Sequence, residues 1–183
     1  MKSSCLVLFV LLVSFCKVSA APVAEHGVAR TVIVVDAAAT ATENYAAQQL
    51  AEGLQQITGA SFEIVTNSEA PPHAIIVGQG TAATKFFPET PLAQFGLEEL
   101  VIRAQGERIL LAGGRPRGTL YAVGRFLQDE CGVRWWTPWA RRIPHRPTLR
   151  IPAINVRAQP ALEYRDPHWH CAFDADWSWR NVP

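Results

Sequence analysis

Two glycines set between an apolar strand and an amphipathic helix constrain this chain more than anything else in it. Ile109-Leu110-Leu111-Ala112 reads as a strand and Gly113-Gly114-Arg115-Pro116-Arg117-Gly118 as a tight turn, with Thr119-Leu120-Tyr121 opening a helix. Almost no residues are spare. A turn this short brings backbone close to backbone, which glycine permits because it has no Cβ. The helix stops at Gly132 and leads straight into Val133-Arg134-Trp135-Trp136-Thr137-Pro138.

Upstream, residues 21–30 read as a short polar leader and residues 31–35 as a β-branched strand, buried on both faces or nearly so. Thr40 and Glu43 make a capping box that starts a helix near residue 41. Ala46, Leu50, Leu54 and Ile57 recur at helical spacing as its buried stripe, and Gly59 supplies the left-handed residue that ends it. Residues 62–65 and 74–77 read as strands, the second running into Gly78-Gln79-Gly80. Residues 81–95 read as an irregular connection with a single helical turn. Leu100-Val101-Ile102-Arg103 and Ile109-Leu110-Leu111-Ala112 flank Gln105-Gly106-Glu107, which suits a β-hairpin with Gly106 in its turn. The second helix turns Leu120, Val123, Phe126 or Leu127, and Cys131 inward. Short strands near residues 133–136 and 149–151 complete the domain.

Successive strands without helices between them argue against a doubly wound parallel sheet. The expected class is α+β: a two-layer sandwich, its sheet mixed or mostly antiparallel, with two main helices on one face. The 183 residues, 49% hydrophobic and 18% charged, give room for one ordinary domain, assigned to residues 21–152. A net charge of +1 with no basic surplus argues against nucleic acid as a partner.

The first twenty residues read as a secretory signal peptide. Lys2 supplies the positive end, residues 6–15 are apolar, and Val18-Ser19-Ala20 places small residues before a cut at Ala21. The apolar run falls short of the roughly 20 residues that span a bilayer, and Lys17 closes it, so no stable membrane anchor is expected. A secreted or periplasmic location follows, with cleavage near Ala20. Cys5 and Cys16 leave with the signal. Export permits Cys131 and Cys171 to pair, but they read as unrelated, with Cys131 a small buried residue at its helix end.

Chemistry is harder to find. Gly113 and Gly118 have Walker A spacing, but Thr119 stands where the lysine belongs, and nothing fits the dinucleotide fingerprint. Pro116 reads instead as a helix-starting residue near the first helical position. His168-Trp169-His170-Cys171 has no second cluster to complete a zinc site, so no metal is expected, and no cofactor. Glu163, Asp166, Asp174 and Asp176 are carboxylates near the end of the chain, but none is nominated as catalytic. Trp135, Trp136 and Trp139 suit sugar stacking or packing, and packing is the favoured reading, with one indole in the core and one facing a neighbouring domain.

The units Leu111-Ala112-Gly113-Gly114-Arg115-Pro116-Arg117-Gly118-Thr119-Leu120-Tyr121-Ala122-Val123 and Cys131-Gly132-Val133-Arg134-Trp135-Trp136-Thr137-Pro138 carry a resemblance. With Ile57-Thr58-Gly59 and Ile76-Val77-Gly78, they resemble the N-terminal non-catalytic domain of family 20 β-hexosaminidases and family 67 α-glucuronidases. Secreted bacterial glycoside-hydrolase-like proteins of unassigned activity are the most similar. The resemblance implies that a (β/α)₈ barrel follows and holds the active site. It implies that residues 153–183 are a linker and the first barrel strand, with Ala161-Leu162-Glu163-Tyr164-Arg165-Asp166 as that strand. Arg165 is similar in position to an arginine that binds substrate hydroxyls in family 20, although Asp166 replaces the usual glycine.

The resulting expectation is a non-catalytic domain of a carbohydrate-active protein. Trp135, Trp136 and the second helix would cover the barrel, and carbohydrate would be reached through it. The tryptophans Trp169, Trp177 and Trp179 near the end would await covering polypeptide. The rivals are a free-standing carbohydrate-binding module and a secreted adaptor.

Overall fold

The computed structural model describes residues 20–66, 70–162, 165 and 169–181. The signal-peptide assignment for residues 1–19 lies outside them, as do Glu163, Tyr164, Asp166, Pro167 and His168.

The chain opens with a hairpin of β1 (Ala21–Glu25) and β2 (Val28–Ala29). His26 and Gly27 both take positive φ, 53° and 76°, as the central residues of a type I′ turn do. Residues 21–30 are therefore no polar leader. Ala21, Val23 and Ala24 are buried, and β1 pairs antiparallel with the late strand β10 (Leu149–Ile151). Long-range pairing, invisible in so short a run, makes the strand.

The next strand, β3 (Val32–Val35), leads into α1 (Ala41–Thr58). The expected capping box is complete: Thr40 Oγ1 accepts the Glu43 N–H at 3.2 Å while Glu43 accepts the Thr40 N–H at 2.8 Å. Gly59 ends α1 at φ 78°. Two strands follow, β4 (Ile64–Thr66) and β5 (Ala74–Val77), then the short helix α2 (Thr81–Phe86) and a 3₁₀ turn at Leu92–Gln94. The predicted hairpin is β6 (Leu100–Gln105) with β7 (Arg108–Gly113), closed by Gly106 at φ 61°. Helix α3 (Gly118–Asp129) follows, and then the two-residue strands β8 (Arg134–Trp135) and β9 (Arg141–Arg142), which pair. After β10, strand β11 (Ile154–Ala158) closes the main sheet.

That sheet has six strands in the order β11-β6-β7-β5-β3-β4. It is mixed. The pairs β3–β4, β3–β5 and β5–β7 are parallel, while β6–β7 and β11–β6 are antiparallel. Of the two forms expected, mixed is the one found: α1 returns the chain so that β4 runs parallel to β3, and β6 runs opposite to β5 so that the β6–β7 hairpin brings β7 back parallel to β5.

Side chains alternate between two cores as strand geometry requires. Ile33, Val35, Ile75, Ile109 and Leu111 face α1, α3 and the β10-β1-β2 sheet. Val34, Ile76, Leu110 and Ala112 face the other way, against Ala82, Ala83, Phe87 and Leu92. Two main helices do share one face. The residues expected to form only an irregular connection cover much of the other, because a sheet apolar on both faces must hide both.

Candidate functional site

The glycine turn is built by backbone contact. A Cβ on Gly113 would collide with Gly118 and the Glu99 carbonyl, and one on Gly114 with the Gly96 carbonyl. The Gly114 N–H donates to the Glu99 carbonyl at 2.7 Å, and the Gly118 N–H to the Gly114 carbonyl at 2.8 Å. Pro116 lies ahead of the N-cap Arg117 and is not the first helical residue. Gly118 opens the helix instead, because only glycine fits against the Glu99 carbonyl.

Ligands of open α/β sheets commonly bind where the strand order reverses, at the carboxyl ends of the strands. Here that point lies between β3 and β5, and the chain's own carboxylates fill it. Asp36 accepts the N–H of Thr81 at 2.9 Å and that of Ala38 at 2.9 Å. Those two backbone donors hold its carboxyl below the ordinary aspartate range. Glu43, nearly fully buried, accepts the N–H groups of Gln79 at 3.0 Å and Thr40 at 2.8 Å, and pairs with Arg115 at 3.1 Å. Burial alone raises its pKa, but the donors from Thr40, Gln79 and Arg115 outweigh burial and the net shift is downward. The backbone N–H groups of Ala38, Thr40, Gln79 and Thr81 are thus engaged by the chain's own carboxylates.

Arg165, the one nominated substrate contact, lies in a depression of about 780 Å³ lined also by Leu97, Glu98, Arg117 and Gln159. It donates to the Leu162 carbonyl at 2.6 Å and pairs with Glu98, which also pairs with Arg117. Its Nε is buried without a partner among the described residues. Glu98 sits at φ 62°, a left-handed conformation that L residues hold at a cost of about 1–2 kcal/mol. Two guanidinium groups offset that cost. Neighbouring Glu99 pairs with Arg157 and accepts the Gly96 N–H at 2.9 Å, and the Arg157 bond leads in lowering its pKa. Leu162 and Arg165 are not in a strand, and the remainder of the expected barrel strand lies outside the described residues.

The end of the chain folds back. A 3₁₀ turn at His170–Phe173 precedes α4 (Ala175–Asn181), and α4 packs on α3. Trp179 lies over Gly124, 3.1 Å from where a Cβ would stand, and edge-on to Tyr45 at 6.4 Å. Asp176 accepts the Tyr45 hydroxyl at 2.9 Å, Arg180 donates to Gln49 at 2.8 Å, and Gln128 donates to the Arg180 carbonyl at 2.8 Å. Two of the three late tryptophans are therefore partly covered by the domain itself. The outer side of α3, expected to meet a barrel, meets α4 at Gly124. Sequence reading missed α4; Gly124 inside an otherwise apolar helix was the available signal, since it marks a close approach.

The adjacent tryptophans divide. Trp135 packs toward the core beneath the Arg180 guanidinium, 5.3 Å from its ring, while Trp136 and Trp139 face solvent. Trp135, Trp177 and Trp179 also line a groove of about 280 Å³ between α1, the β8–β9 ribbon and α4. Asp174 caps the Trp177 N–H at 2.8 Å. His170 packs edge-on to Phe173, 6.2 Å away, and the described residues contain no cluster of three or more His, Cys, Asp or Glu able to hold a metal. Cys131 and Cys171 are both buried and unpaired. No helix among the described residues is long and apolar enough to cross a membrane.

No protein-family model matches the chain, and no curated protein matches it. Among solved structures it is similar to a family GH115 4-O-methyl-α-glucuronidase, described as having specificity for decorated arabinogalactans. The identity is 20% and the TM-score 0.47, over 74% of this chain and 18% of that one. The chain spans less than a fifth of that enzyme's length.

Proposed function

We propose that this chain is a non-catalytic accessory domain of a secreted glycoside-hydrolase-like protein, supporting a (β/α)₈ barrel. The observation that carries the reading is the exposure of large aromatic side chains in its last third. Trp136, Trp139, Trp169 and Phe173 are 59%, 75%, 60% and 90% exposed. Trp136 and Trp139 stand out at the β8–β9 ribbon and Trp169 and Phe173 at the 3₁₀ turn, apolar area that a covering domain would remove from water. The resemblance of the glycine-turn and Trp135-Trp136 segments to domains that precede barrels names the cover.

The nearby carboxylates support the non-catalytic half. Asp174 Oδ1 caps the first turn of α4 and Asp176 Oδ1 holds the Tyr45 hydroxyl, so each carboxylate has a structural partner. Arg165 is the substrate contact this chain would lend to the barrel, its buried Nε being the group left to use.

Purified protein incubated with a panel of aryl glycosides tests the reading. No turnover above the blank is expected, and robust hydrolysis would overturn it. The coding sequence immediately downstream is the second arm: a frame encoding alternating strands and helices is expected, and its absence, even after correcting one frameshift, would remove the barrel.

A further inference from the structure

We infer that the groove between α1, the β8–β9 ribbon and α4 binds a short stretch of glycan. This rests on the carbohydrate-directed part of the function proposed above and adds a site within this chain.

The groove joins flat apolar surfaces to polar groups of both kinds. Trp177 has no ring or cation partner among the described residues, whereas Trp135 is covered by Arg180 and Trp179 by Tyr45 and Arg180. The indole N–H of Trp177 and the Nε–H of Arg180 are buried without an acceptor among the described residues, whereas the Trp179 indole lies against Tyr45. Both free groups are donors only. Buried donors gathered at one cavity call for acceptor oxygens.

Acceptors are present too. The Gln56 side chain, which makes no hydrogen bond among the described residues, lines the same groove with the carboxylates of Asp174 and of Glu52, the latter accepting from Gln49 at 3.2 Å through one oxygen. A pyranose answers every part of this pattern. Its ring and hydroxyl oxygens take the N–H donors, its hydroxyl protons reach the carboxylates, and its C–H face lies on an indole.

Charge narrows the class. Arg141 and Arg180 stand against Glu52, Asp174 and Asp176, so neither a phosphate nor a cation would meet a lining of one sign. A neutral, hydroxylated ligand fits. The 280 Å³ volume lies at the lower edge of the roughly 300–1,000 Å³ typical of small-ligand clefts, room for about one or two sugar rings.

Affinity electrophoresis of the whole purified chain tests this, in native gels cast with xylan, galactan or mixed-linkage β-glucan. Retardation in at least one gel is expected. Trp177→Ala should weaken it by about tenfold, the scale of one lost aromatic contact. The Arg141 side chain is exposed and makes no side-chain hydrogen bond or ion pair among the described residues, so Arg141→Ala and Gln56→Ala keep the fold and should each weaken binding about threefold. Trp139→Ala should leave retardation unchanged. Absence of retardation in all three gels overturns the site. So does retardation that survives the groove variants, or that is lost in Trp139→Ala instead. Hydrolysis of aryl glycosides would sink the accessory role but leave the gel result standing, and a failed gel would leave the accessory role intact.

Discussion

The Glu43 carboxylate accepts the Gln79 backbone N–H at 3.0 Å, tying the first turn of α1 to the end of β5 across 36 residues. The same carboxylate caps its own helix and holds Arg115 of the glycine turn. Replacing it strands several donors at once. Glu43→Ala should cost about 3 kcal/mol and Glu43→Gln about half that, read as a shift of the urea midpoint at unchanged slope.

Acid stability should follow from the same group. The folded pKa of Glu43 lies below its ordinary value, so its contribution is present above the unfolded pKa and is lost as pH falls through the folded one. Glu99 and Asp36 are shifted the same way. Urea stability should therefore be flat near neutrality and fall below about pH 4.3. Glu43→Gln should fall less steeply there; an unaltered slope would show that the carboxylate is not held as described.

Glycines of different kinds should respond differently. Gly114→Ala drives a methyl group into the Gly96 carbonyl and should cost at least about 3 kcal/mol or prevent folding. Gly59→Ala meets nothing within 4 Å and bears only the left-handed backbone cost, about 1 kcal/mol. Thermal melts of the two variants separate close approach from conformation.

Helix α4 should detach without unfolding the sandwich. Gly124→Leu occupies the place of the Trp179 ring. The variant should keep its far-UV spectrum while acrylamide quenching of tryptophan fluorescence increases. Loss of the whole fold in this variant would mean that α4 is integral to the core.

Both late cysteines should be silent in the native state. Burial pushes the Cys131 thiol up to about 12, and Cys171 is 4% exposed. A thiol reagent at pH 8 should label neither within minutes, and both in guanidinium.

Legibility followed distance along the chain. The Thr40–Glu43 box, the Gly59 cap, the Gly106 hairpin and the stripes of α1 and α3 depend on contacts within a few residues, and the sequence displays them. The buried role of residues 21–25, the cover over the second face of the sheet, the partner of Glu43 and the docking of α4 depend on residues far away. Arg165 shows the same limit: its position was marked by resemblance, but its bond to Glu98 spans 67 residues and no pattern announces it.

By itself the sequence determined α1 with its Thr40–Glu43 and Gly59 caps, the core strands β3, β5, β6 and β7, and α3 after the glycine turn, because hydrophobic periodicity and glycine φ are local properties. Only the tertiary structure decided the sheet's mixed direction, the carboxylates set on its switch-point donors and the groove closed by α4. Those depend on which distant surfaces bury one another, and burial is a property of the assembled fold.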